Sequence, residues 1–159
     1  MDKFMQDNQT LLAMCEEQEK TFQFDHFTRE DALALGLALH ENAKPFGQPV
    51  GIEISIGGLT VFRYLPEGAT ADNALWLARK RRSVELMEMS SLRFMAWMEA
   101  GGDTLESRKL SANDYAACGG GFPILLRGTG MIGSICVSGL PHLDDHQLII
   151  NTLAEHFKA

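Results

Sequence analysis

The chain has 159 residues, 45% of them hydrophobic, which suits a single domain over 1–159 with a sizeable core. Its 14 basic and 21 acidic residues give a net charge of −7, which opposes diffuse attraction to nucleic acid and to an anionic membrane surface. Three cysteines lack metal-ligand spacing, no apolar run approaches the ~20 residues of a membrane span, and Gln6 to Gln9 are polar where a signal peptide needs an apolar core, so a cytoplasmic chain is expected.

Residues 2–20 read as a helix, with Phe4, Leu11, Leu12 and Cys15 as its buried stripe and Glu16, Glu17 and Glu19 on wet faces. Thr21 to Asp25 alternates weakly, as a short strand would. Thr28 is an N-cap with Asp31 three residues on, and the helix it opens should stop before Pro45. Val50, Ile52, Ile54 and Ile56 then share one strand face; after Gly57-Gly58 the pattern resumes through Leu59 to Tyr64, predicting a hairpin on a two-residue turn.

A third helix starts at Thr70 and carries Trp76 and the block Arg79-Lys80-Arg81-Arg82, with a break at Ser90-Ser91 and a continuation to Gly101-Gly102. Residues 103–110 read as a surface connection and 111–117 as a short capped helical turn. The apolar runs Ile124 to Leu126 and Met131 to Val137 flank Arg127-Gly128-Thr129-Gly130 and predict a second hairpin, opened by Gly119-Gly120-Gly121 and closed by Gly139-Leu140-Pro141. The last helix follows, with His146, Ile149, Ile150, Leu153 and Phe157 on one face. Hairpins and covering helices together predict an α/β (α+β) sandwich around one antiparallel sheet.

Several residues have both a chemical and a packing reading. Gly128 to Gly133 spells G-x-G-x-x-G, but a strand rather than a helix follows, so it is a hairpin turn and not a dinucleotide site. Arg79 and Lys80 are candidate clamps for carboxylates beside the Trp76 indole, whereas Arg81 and Arg82 are expected on a solvated face. His146 is either a hydrogen-bonded core histidine or a ligand or base of shifted pKa. Cys118 has no adjacent cation to activate it, and an inert thiol is expected. Among the eight methionines, Met87, Met89, Met95 and Met98 sit at roughly helical spacing and read as core or subunit contacts rather than metal ligands.

Three blocks carry a family resemblance: Asp72-Asn73 with Trp76, Arg79 and Lys80; Tyr115-Ala116-Ala117 leading to Gly119-Gly120-Gly121-Phe122-Pro123; and Gly133 to Pro141 followed by Asp145-His146. In these the chain resembles the UPF0303 family, within the haem-degrading, HbpS-like/GlcG-like superfamily. The resemblance implies a profilin-like sandwich with a central antiparallel sheet of about five strands flanked by helices. It also implies homo-oligomers and haem as a candidate cofactor.

In the pocket it suggests, Trp76 to Lys80 faces the Gly119 to Phe122 loop and His146 closes the opening. Arg79 and Lys80 would meet propionates or other carboxylates, Trp76 and Phe122 would stack, and Gly119, Gly120 and Gly121 would admit close backbone approach. No catalytic residue and no iron ligand is assigned. Three functions stand open: binding, with or without degradation, of haem or another flat anionic small molecule; a non-catalytic oligomeric scaffold or adaptor; and an enzyme acting on a small carboxylated metabolite.

Overall fold

A computed structural model describes residues 7–158, so Phe4 and the start of the expected first helix lie outside the described residues. The elements are α1 (Asn8–Thr21), β1 (Gln23–Phe24), α2 (Arg29–Ala43) with a short 3₁₀ turn at Lys44–Phe46, β2 (Gly51–Ile56), β3 (Leu59–Tyr64), α3 (Ala71–Met87), α4 (Ser91–Ala100), β4 (Gly121–Leu126), β5 (Gly130–Ser138) and α5 (His142–Lys158). The five strands form one sheet in the order β1-β4-β5-β2-β3. Every pairing is antiparallel except that of the two-residue β1, which runs parallel to β4 and was not expected from hairpin logic.

Local chemistry accounts for the boundaries. Thr28 and Asp31 form a reciprocal capping box, each side chain accepting the other's backbone N–H at 3.1 and 2.8 Å. The β2–β3 turn has φ of 57° at Gly57 and 82° at Gly58, the two left-handed residues that a tight hairpin turn requires. Residues 111–117 form a single turn closed on the Ser111 carbonyl rather than a helix.

The alternation of β2 sends its two sides to different environments. Ile52 and Ile54 join Phe122, Ile124, Ile135 and Val137 in the main core, beneath α2 and α5. On the other face Glu53, Ser55, Ser134 and Cys136 lie under α3, whose buried positions are Leu77, Lys80, Ser83 and Val84. This polar, small-residue face is what lets α3 sit close enough to reach across the strand ends. A smaller cluster of Leu11, Cys15, Leu92 and Ala96 joins α1 to α4.

Glu19, expected on a wet face, is 5% exposed; it pairs with Arg93 at 3.0 Å and accepts the Ser90 N–H at 3.3 Å, tying α1 to the start of α4. Arg81 also departs from expectation. It leans onto the β2–β3 hairpin, donating to the Gly58 carbonyl and to Glu85 and lying 3.7 Å from Glu53, while Arg82 stays exposed.

The glycine at position 133 is fixed by close packing in the sheet, since a Cβ there would lie 2.0 Å from the Ser55 carbonyl oxygen. Gly133→Ala must push β5 away from β2. We expect it to cost about 1–3 kcal/mol, the usual range for overpacking, measured as a lowered urea midpoint with an unchanged slope.

Candidate functional site

The candidate site is a cleft of about 330 Å³ where the first half of α3, the end of β5 and the start of α5 converge. That volume is at the small end of the range of about 300–1,000 Å³ for ligand pockets. A second cleft of about 320 Å³ holds Glu53, Arg63, Arg81, Arg82 and Glu85; ion pairs within the fold join Glu53 to Arg63 and Arg81, and Arg81 to Glu85.

Helical spacing builds the α3 wall. Thr70 caps the helix, and Asn73 returns its side chain to the Thr70 N–H at 3.0 Å while donating to the Ser138 carbonyl at 3.4 Å. Asn73, Trp76 and Lys80 follow at intervals of three and four and fall on one stripe facing the cleft. Ser138, Gly139 and Leu140 supply the opposite wall, with Cys118, His142 and Asp145 completing it.

Lys80 lies at the bottom of the cleft, 3% exposed. Its Nζ donates to the Val137 carbonyl at 2.8 Å and to Asp145 Oδ2 at 3.0 Å. Asp145 Oδ1 in turn accepts the Leu140 N–H at 3.1 Å, so this carboxylate both neutralises the lysine and anchors the turn into α5. Burial pushes the Asp145 carboxyl up to about 6 against the opposing pull of Lys80.

His142 is the residue that sequence reasoning passed over. It is the first residue of α5, and its Nδ1 accepts the backbone N–H of Gly119 at 3.0 Å. Burial and the nearby Lys80 ammonium both lower its pKa, which favours the neutral ring. Two hints stand in the sequence: a histidine directly after the Gly139 to Pro141 exit, and its place four residues before His146 on the same helical stripe.

The expected site residues are distributed as follows. Trp76, 38% exposed, and Lys80 line the cleft. Arg79 stacks over the indole at 4.7 Å and donates to the Asn113 carbonyl at 3.1 Å, outside the cleft lining. Phe122 is fully buried in the core on the α5 side of the sheet. His146 is 1% exposed; its Nε2 donates to Gln18 Oε1 at 2.8 Å, its Nδ1 has no partner among the described residues, and burial lowers its pKa to about 4.

The triple glycine acts through close packing beneath the cleft. A Cβ at Gly119 would meet the His142 carbonyl at 2.3 Å, one at Gly120 the Lys80 Nζ at 2.5 Å, and one at Gly121 the Val84 side chain at 2.8 Å. These glycines let α3 and α5 close on the same strand end. They create the Lys80–Asp145 geometry.

Cys118 borders the cleft with its thiol pushed up by burial, which keeps it protonated and a poor nucleophile or metal ligand. Among the described residues no cluster of three or more His, Cys, Asp or Glu side chains could hold a metal ion. None of their helices is long and apolar enough to cross a membrane.

This arrangement can be set beside known proteins. A UPF0303 protein of Yersinia enterocolitica is 41% identical over 148 residues, covering 92% of this chain and 88% of its own length. The crystal structure of the Ybr137w protein superposes with a TM-score of 0.83 at 27% identity, covering 92% of this chain and 87% of that one. That of the PduOC–haem complex gives 0.66 at 22% identity, covering 80% and 93%, a likeness of fold. The family model of the haem degrading protein HbpS-like matches residues 27–154. With the UPF0303 relatives matching over most of their length, the chain belongs to the HbpS-like family.

Proposed function

We propose that this protein binds a small, flat, anionic molecule of the haem type in the cleft between α3 and the start of α5. The observation that carries this reading is the pairing of a half-exposed Trp76 indole with N–H donors around one opening. Trp76 supplies an apolar platform, and His142 and the Lys80 ammonium supply donors toward carboxylates. Membership of a family described as haem-degrading, and a fold shared with a protein solved as a haem complex, support the ligand class.

Haem fits this cleft at its periphery and not at its iron. His142 uses Nδ1 as an acceptor, His146 is buried against Gln18, and the Cys118 thiol is held protonated, so none of the three is set to ligate iron. The chain's own residues bind and orient the ring edge and shield one end from water.

Haemin titration of the purified protein tests the reading. Trp76→Ala should weaken binding about tenfold, since an aromatic stack contributes about 1 kcal/mol beyond its buried area. Arg82→Ala, on the exposed side of α3, should leave binding unchanged. Equal, non-saturable binding by all three proteins would sink the proposal.

A second reading, a self-associating scaffold, is favoured by the open outer edge of β3, where Leu59 and Tyr64 are exposed. Light scattering would detect the oligomer. Loss of the oligomer on placing proline at Thr60 would assign it to that edge.

A further inference from the structure

The direction of one hydrogen bond determines what the cleft can recognise, provided the cleft is the binding site proposed above. A backbone N–H is a permanent donor, and the Gly119 N–H points at His142 Nδ1 at 3.0 Å. Nδ1 therefore carries the lone pair, and the neutral ring bears its proton on Nε2. Histidines that bind metals almost always show the opposite arrangement, with the outer nitrogen donating to a carbonyl or carboxylate and the inner one free to ligate. Protonating Nδ1 would set two N–H groups against each other across the same contact.

The rest of the lining points the same way. The Trp76 indole nitrogen is a donor only. The Lys80 ammonium has three N–H groups, of which the Val137 carbonyl and Asp145 take two. Asp145 has both oxygens occupied, by Lys80 and by Leu140. Asp72 stands at the rim in the first turn of α3, where its charge faces the positive end of that helix. The interior of the cleft thus offers donors and asks for acceptors.

We infer that His142 is a specificity-determining donor that reads a carboxylate through Nε2–H, and that ligand capture in this cleft is independent of any metal the ligand carries. Porphyrin propionates and the carboxylates of smaller aromatic acids share this chemistry. In either case the discriminating group is the acceptor oxygen and not an iron atom.

Three probes and one spectrum test it on the full-length protein. Haemin and metal-free protoporphyrin IX should bind with the same affinity. Protoporphyrin dimethyl ester, which lacks the carboxylates, should bind about tenfold or more weakly, the loss expected for a hydrogen bond to a charged group. His142→Phe should abolish the difference between acid and ester. Haemin binding alone, with a low-spin spectrum lost in His142→Phe, would overturn the inference.

Failure of both porphyrins would instead remove the porphyrin reading of the cleft. A ligand-free measurement separates the two cases: the long-range proton–nitrogen correlation spectrum of the imidazoles should show His142 protonated at Nε2 at neutral pH. A spectrum with the proton on Nδ1 overturns the inference whatever the porphyrins do.

Discussion

Asp145→Ala should lower the unfolding free energy by about 3–5 kcal/mol, the cost of leaving one partner of a buried ion pair uncompensated. The substitution strands the Lys80 ammonium, 3% exposed, with the Val137 carbonyl as its remaining protein acceptor, and it also frees the Leu140 N–H. Lys80→Met should cost less, because Asp145 can take up a proton in place of its lost cation, and its carboxyl already stands at about 6. The double variant Lys80→Met/Asp145→Leu should recover much of the loss, since a well-packed apolar pair is often no less stable than the ion pair it replaces. Urea unfolding of the four proteins closes a double-mutant cycle. If Asp145→Ala does not fold, the cycle still rests on whether the double variant does. A loss of about 1 kcal/mol or less in Asp145→Ala would place the pair with solvent-screened surface bridges and reject the buried geometry.

That pair also shows where sequence reasoning reaches and where it stops. Local signals made the hairpin at Gly57-Gly58, the capping box of Thr28 with Asp31 and the break at Ser90 legible, because each is decided within a few residues. They also grouped Trp76, Arg79 and Lys80 on one helix as a candidate clamp, of which Trp76 and Lys80 line the cleft and Arg79 does not. What lay beyond reach was which partner each side chain meets across the fold. Lys80 and Asp145 are far apart in the chain, and only the closing of α3 and α5 on the β5 end joins them.

The same limit separates the two histidines. Helical periodicity put His146 on the buried face of α5 and so marked it, yet burial there means core, not cleft. His142 falls on the same stripe one turn earlier, but at the first residue of α5 it lies beside the Gly119 loop rather than over the core, and it acquires its role from that loop's backbone N–H. The triple glycine was visible as a close-approach signal, but what approaches it is the protein's own α3 and α5. Parallel pairing of β1 was equally invisible, since two residues carry no register information.

His146→Leu should make stability rise toward acid between about pH 6 and 4, an interval over which the wild-type protein should change little. In the folded chain burial lowers the His146 pKa from 6.5 to about 4, so over that interval the unfolded state binds the extra proton and stability falls as pH falls. A displacement of that size corresponds to about 3 kcal/mol at full effect. Asp145 works in the opposite sense. Its carboxyl rises from 3.8 to about 6 on folding, so the native state binds the extra proton and stability grows as pH falls through the same interval, again by about 3 kcal/mol. The lowered His142 adds to the first slope and the buried, raised Glu19 to the second. The wild-type curve should therefore be nearly flat from pH 6 to 4, the sum of slopes that cancel. Leucine at position 146 removes one slope together with the unpartnered Nδ1, and unfolding free energies from urea titrations at intervals across that range should then climb toward acid. If the variant instead tracks the wild-type curve, His146 takes up its proton equally in the folded and unfolded chains, which is incompatible with a ring closed off from water against Gln18.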